Sequence, residues 1–235
     1  MRRQRTPLSE VIQGFKYKHG VRNSLLHSRF EIRESLNLSI IEIGEMLRYD
    51  DYSQKAVRDA LASVLSRTIA YANSFGDLDI IGEMSRRYPV EGCAYCRNPA
   101  CVCEYDERRT ITEQDIKKIQ RKWSIEDWCR HLDKVYGKVN RDRSFVHVFN
   151  RLQNEFCKIS KVEFTHTRTR SETSDNYRDE LTKQFADVFA WIFAVSNMHS
   201  LNVGGIIKAW AFKKCATCDM NPCQCGPFIF EKTLS

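Results

Sequence analysis

Eight cysteines fall into two sets whose spacing suits a metal ion. The first is Cys93, Cys96, Cys101 and Cys103 in CAYCRNPACVC. The second is Cys215, Cys218, Cys223 and Cys225 in CATCDMNPCQC. Both read C-x2-C-x4-C-x-C, and every sulfur of the second set lies 122 residues after its counterpart. Thiolates suit Zn2+, which takes four of them in a tetrahedron. C-x2-C places two sulfurs on one tight turn. C-x-C returns the second pair across a segment bent by Pro99 or Pro222. One short stretch thus supplies a whole coordination sphere, and such a site folds as it takes up metal. Four protein ligands leave no position for a substrate, so both sites read as structural zinc. An iron–sulfur cluster, a redox dithiol pair and disulfides are the other chemistries this pattern admits.

A different chemistry is written into SIIEIGEML, Ser39–Leu47. Glu42 and Glu45 stand three apart, so on a helix they project from one face. Paired carboxylates on a helix can hold Mg2+, a hard cation that wants oxygen ligands. The plainer alternative is a solvated pair on an exposed face. Ile40, Ile41, Ile43 and Met46 around them leave little obvious solvent side.

The elements that must position these groups come in duplicate. Ser53–Met84 aligns without gaps with Tyr177–Lys208: Leu61, Ala62 and Val64 match Phe185, Ala186 and Val188, and Ala70 and Asn73 match Ala194 and Asn197. Leu61, Val64, Leu65, Thr68, Ile69 and Ala72 recur at helical spacing, as do Phe185, Val188, Phe189, Ile192 and Phe193. A shorter helix comes next in each copy, Leu78–Arg86 and Val203–Phe212, with Asp77 and Asn202 as expected N-caps. Two helices precede each block: about Leu8–Tyr17 and Arg29–Leu47 in the first copy, about Ile125–Tyr136 and Phe145–Ser160 in the second. His19-Gly20 and Tyr136-Gly137 are expected to end the first helix of each, because Gly is the common left-handed cap. Glu104–Thr112 reads as a linker, Glu113–Trp123 as an extra helix, and Thr165–Asn176 as a polar, basic loop. Cys129 and Cys157, inside apolar-periodic stretches, read as core, as do Trp191 and Phe193. The expectation is an all-α chain of two four-helix units, residues 1–105 and 106–235, each closed by a four-cysteine zinc knuckle.

On these residues the sequence resembles the MazG-like, all-α nucleotide pyrophosphohydrolases. Their pattern is E-x-x-E on one helix and E-x-x-D on the next. Ile40–Leu47 (IIEIGEML) is similar to the first metal-binding helix, and Gln184–Leu201 (QFADVFAWIFAVSNMHSL) to the second with the segment after it. The resemblance covers most of both copies and implies a fused pseudo-dimer. It also implies Mg2+ held between helices, clamping a nucleoside triphosphate while water attack releases pyrophosphate. Each copy departs from the pattern. The first keeps Glu42 and Glu45 but has Ala60 and Ser63 where Glu and Asp stand in the family. The second keeps Glu155 and Asp187, with Lys158 and Gln184 at the other two positions. Two acids of four in each copy imply weakened Mg2+ binding, with Lys158 and Gln184 left as ligand-binding side chains. The reading is a nucleotide-binding or partner-binding relative with little or no hydrolysis. Its alternatives are an active nucleoside triphosphate pyrophosphohydrolase and a zinc-stapled nucleic-acid-binding protein.

Charge and hydropathy bound the remaining classes. The net charge of +7 allows phosphates, nucleotides or nucleic acid as partners. Basic residues gather at Met1–Arg5, Arg108–Arg109, Arg141–Arg143 and Arg168–Arg170. The longest apolar run, Val188–Val195, is far too short for a bilayer span. No secretory signal is legible at the N-terminus, and clustered thiols then point to metal in a reducing, cytoplasmic setting.

Overall fold

A computed structural model describes residues 5–26, 29–49, 52–103, 120–169, 175–215 and 218–224. Eight α-helices lie among them, and no strand: α1 Leu8–Leu26, α2 Arg29–Tyr49, α3 Gln54–Asn73, α4 Ile80–Arg87, α5 Ile125–Asp142, α6 Phe145–Thr169, α7 Asp175–Met198 and α8 Gly204–Phe212. Among the described residues, no helix is long and apolar enough to cross a membrane.

The chain divides into two compact units that cross the repeat boundary at 105/106. Unit 1 is residues 1–8 and 78–202. It joins α4 and the first cysteine set, from the first repeat, to α5, α6 and α7 of the second. Unit 2 is residues 9–77 and 203–235. It joins α1, α2 and α3 of the first repeat to α8 and the second cysteine set. Each unit thus takes three long helices from one repeat and the short helix with its knuckle from the other.

In unit 1, α7 is the central helix and packs against α4, α5 and α6. Its Leu181, Phe185, Val188, Phe189, Ile192 and Phe193 are fully buried, together with Trp128 of α5 and Leu152 and Ile159 of α6. Each such side chain contributes roughly 1.5–3 kcal/mol by leaving water. In unit 2, α3 takes the central place against α2 and α8. Leu61, Val64, Leu65 and Ile69 of α3 are buried, as are Leu36, Ile40 and Ile43 of α2. The two units repeat a tie between central and first helix: Asn73 Nδ2 donates to the Ile12 carbonyl at 3.4 Å, and Asn197 Nδ2 to the Cys129 carbonyl at 2.8 Å. Both central helices end in a left-handed residue at equivalent positions, Gly76 (φ 86°) and Ser200 (φ 52°).

Several local expectations give way to tertiary contacts. Helices α1 and α5 run through Gly20 and Gly137, so neither glycine is a cap. A Cβ at Gly137 would lie 2.2 Å from Asp133 Oδ1 and 2.8 Å from Arg141 Nη2. That glycine therefore lets the Asp133–Arg141 ion pair close over the helix face. The cap of α4 is Asp79, whose carboxylate accepts from the Gly82 N–H at 3.0 Å. Asp77 instead pairs with Lys16 at 2.5 Å. Helix α8 starts after Val203 with no side-chain cap, so Asn202 does not serve. Residues 165–169 and 175–176 of the expected basic loop are helical, in α6 and α7. The expected helix Glu113–Trp123 lies mostly outside the described residues, and Gln120–Lys122 form a 3-10 turn. Cys157 is exposed on α6 and so is not a core residue, whereas Cys129 is largely buried and burial pushes its thiol up to about 12.

Candidate metal centres and the acidic positions

Among the described residues, the two cysteine sets share the same turn hydrogen bonds and the same left-handed residue. In unit 1 the Cys93 N–H donates to the Asn98 carbonyl at 2.9 Å, and the Arg97 N–H to the Cys93 carbonyl at 2.9 Å. In unit 2 the Cys215 N–H donates to the Met220 carbonyl at 3.0 Å, and the Asp219 N–H to that of Cys215 at 2.9 Å. Arg97 and Asp219 hold the same left-handed conformation, φ 63° and 53°. That conformation turns the chain after the second cysteine so that the third and fourth can return. N–H groups then point at sulfur, Tyr95 to Cys93 Sγ and Gln224 to Cys218 Sγ, both at 3.4 Å.

The sulfur atoms of Cys93, Cys96, Cys101 and Cys103 converge within 4.8 Å of one another, as do those of Cys215, Cys218 and Cys223. Cys225 lies outside the described residues. Sulfurs held about 2.3 Å from a central zinc in a tetrahedron stand about 3.8 Å apart. Cys93 and Cys103 are 3.8 Å apart, and Cys218 and Cys223 3.9 Å, far beyond a disulfide bond. The donor set and its spacing therefore fit a tetrahedral thiophilic ion. The thiols of the first set also behave as a group. Burial raises Cys96, but the N–H groups of Val102 and Asn98 and the neighbouring thiols outweigh it and bring it down to about 6. Burial and the crowd of sulfurs push Cys101 up to about 11 and Cys103 higher still. One thiolate forms readily and the next are resisted, which is the condition a dication at the centre relieves.

Each knuckle is seated on the first long helix of its unit by one backbone bond. The Cys101 N–H donates to the Val135 carbonyl at 2.7 Å, and the Cys223 N–H to the Lys18 carbonyl at 2.8 Å. Val135 and Lys18 immediately precede the paired dipeptides Tyr136-Gly137 and His19-Gly20. Val135, Tyr136 and Val139 close the apolar side of the first set. Lys18 also donates from Nζ to the Trp210 carbonyl at 2.6 Å, tying α8 to α1.

The acidic positions are arranged differently from the cysteines. No family model, curated protein or solved structure matches this chain. The roles of these acids therefore have to be read from their own contacts. Asp187 of α7 is buried and its oxygens are both taken: Arg87 donates from Nε to Oδ1 and from Nη2 to Oδ2, each at 2.7 Å, and the Tyr88 hydroxyl donates to Oδ1 at 2.8 Å. Burial works against the Arg87 charge, yet Asp187 more than offsets it and holds the guanidinium above its ordinary range. Tyr88 is pushed well up by burial and then by the carboxylate's charge. Glu155 of α6 is also buried, and Lys158 one turn on donates to its two oxygens at 2.7 and 2.8 Å. Gln184 has a buried Oε1 with no hydrogen-bond partner among the described residues. Glu42 and Glu45 are both exposed on α2, although isoleucines flank both in the sequence. The two cysteine sets are the groups of three or more convergent metal-ligating side chains among the described residues, and no carboxylate joins one.

Sequence reasoning misses Arg87, Tyr88 and Arg67. Arg87 and Tyr88 close the short helix IIGEMSRR, whose Arg-Arg end signals only a favourable C-terminal charge. Arg67 sits inside the apolar run of α3. There its Nη1 donates to Ser63 Oγ at 2.9 Å and to Ser39 Oγ of α2. A charged residue between Leu65 and Thr68 is the available signal.

Proposed function

We propose that this chain is a tandem, degenerate relative of the MazG-like pyrophosphohydrolases. Two structural Zn2+ ions staple it, and it holds a nucleotide or a protein partner without hydrolysing a triphosphate. The observation that carries the reading is the closure of Asp187 by Arg87 and Tyr88. A carboxylate that must hold Mg2+ needs a free lone pair directed at the ion. Here a guanidinium fork and a phenol hydroxyl take three of the four lone-pair positions, and both come from the end of the short helix of the other repeat. Lys158, one turn along the same helix, bridges both oxygens of Glu155. The side-chain cations supply positive charge where the family uses a metal, but they cannot activate a water as a metal does. The thiolate donors and their spacing support zinc, and a colourless protein with zinc by elemental analysis would separate it from iron, which takes the same geometry.

The test is pyrophosphate release from standard and modified nucleoside triphosphates with Mg2+ or Mn2+. The expected result is none above background. Release that disappears in Asp187→Ala or Glu42→Ala would establish the active-enzyme alternative instead. The nucleic-acid alternative draws on the +7 net charge and the basic stretch Thr165–Asn176, and the cations Arg130, Lys134, Lys138 and Arg141 are also exposed along α5. Two of them are already paired, with Asp127 and Asp133. Salt-dependent binding to single or double strands would support it.

A further inference from the structure

The two units treat their inter-helix guanidinium groups in opposite ways. In unit 1, Arg87 is matched by a carboxylate, Asp187. Unit 2 has Ser63 at the position equivalent to Asp187, and the guanidinium is Arg67, one turn further along α3. Arg67 is half-buried, and both of its hydrogen-bond partners, Ser39 and Ser63, are neutral. Glu42 acts on it through charge alone and is itself exposed, with no ion pair between them among the described residues. Burial consequently holds Arg67 below its ordinary range, an effect Glu42 only partly offsets. A side chain that merely fastened α2 to α3 would not need an unmatched charge, because hydroxyls repay only part of the solvation a guanidinium loses.

The donor inventory suits an anion. Ser39 commits its proton to the Ser35 carbonyl at 3.0 Å, so it serves Arg67 only as an acceptor. Nη1 is used on the two serines. The three N–H groups on Nε and Nη2 have no acceptor among the described residues, and neither nitrogen is sealed away from solvent. The Ser63 hydroxyl, which accepts from Arg67, still has its own proton to give. A planar fork of this kind matches a terminal phosphate, with two of its oxygens on the Nε and Nη2 N–H groups, while the two serines hold the guanidinium from its Nη1 side.

We propose that Arg67, with Ser63 and Ser39, forms a metal-independent site in unit 2 for the terminal phosphate of a small soluble phosphate chain. The proposal deepens the nucleotide-holding reading and rests on it for the ligand's chemical class. The test uses the full, zinc-loaded chain without Mg2+, titrated with tripolyphosphate and separately with ATP, and read by calorimetry and phosphorus NMR. Both ligands bind saturably. Arg67→Met weakens both about tenfold or more, Arg67→Lys less, and Glu42→Gln tightens both by removing a competing negative charge. Arg67→Lys keeps a cation between the helices and so remains informative if Arg67→Met fails to fold. The proposal is overturned if wild type binds neither ligand at millimolar concentration, or if folded Arg67→Met or Arg67→Lys binds as wild type does. Pyrophosphate release by wild type would overturn the non-hydrolysing reading alone, since the Arg67 variants judge this site by binding.

Discussion

Replacing Asp187 with asparagine separates a structural acid from a metal ligand. The carboxylate accepts three short bonds, two at 2.7 Å from Arg87 and one at 2.8 Å from Tyr88. Its side chain is 11% exposed and that of Arg87 20%. Removing one member of a buried pair typically costs ~3–5 kcal/mol, because the other charge stays buried without compensation. The residual exposure of Arg87 and the one carbonyl that asparagine retains place the expected cost near the lower end, ~3 kcal/mol. With a urea slope of roughly 1–3 kcal/mol per molar, the unfolding midpoint of unit 1 falls by about 1–3 M. Trp123, Trp128 and Trp191 all lie in unit 1, so tryptophan emission weights the measurement towards it. Arg87→Met should be destabilising as well. The double variant Asp187→Asn/Arg87→Met should cost less than the two singles added, because no lone charge remains. A metal ligand behaves otherwise: asparagine in an acidic cluster relieves repulsion and leaves stability level or higher. A cost below ~1 kcal/mol for Asp187→Asn, with strictly additive singles, would refute the structural role.

Three further outcomes rest on the same contacts. Purified protein should carry two zinc ions per chain. Cys101→Ser should remove one and destabilise unit 1, whereas Cys157→Ser, at an exposed site, should leave metal content and melting unchanged; elemental analysis with calorimetry decides this. Stability should fall on acidification in two stages. Burial holds His131 neutral, lowering its pKa, so its contribution is complete above the unfolded value of ~6.5 and is lost as pH drops below it; His131→Gln should remove that first limb of a pH–urea series. Burial raises Asp79 and Asp127, but bonds from Arg121 and Gly82, and from Ser124 and Arg5, outweigh it. Their stabilisation is present above ~3.9 and is lost as pH falls through their depressed values. Gly137→Ala should be neutral or stabilising by up to ~1 kcal/mol in thermal melts. It gains helix propensity and displaces only the tips of Asp133 and Arg141, whereas a glycine serving as a left-handed cap would make the same change costly.

The knuckles and the helices were legible because their causes are local. Cysteines packed into eleven residues bring their sulfurs together, and Phe185, Val188, Phe189, Ile192 and Phe193 define a buried stripe whatever surrounds it. The left-handed turn at Arg97 and Asp219 is part of the same local code, although neither residue type announces it. The partner of each short helix was not local. Nothing in IIGEMSRRY says that Arg87 will meet a carboxylate one hundred residues away, and so the compact units could not be read from the repeat boundary. The glycine and cap expectations failed for a related reason. At Gly137 a close ion pair uses the missing Cβ, and at Asp77 a lysine from α1 takes the carboxylate, leaving Asp79 to cap. The isoleucines around Glu42 and Glu45 misled because Ile40 and Ile43 are buried while Ile41 is 44% exposed, so the open side of α2 carries an isoleucine as well as the acids.

The central claim, that side-chain cations have closed the acidic positions of the second copy, Asp187 and Glu155, to Mg2+, is met most directly by titrating Mn2+ into the zinc-loaded full chain and counting free ion by electron paramagnetic resonance. The account predicts no site filled at micromolar Mn2+, in wild type or in Asp187→Asn. A micromolar site in wild type that Asp187→Asn abolishes would contradict it.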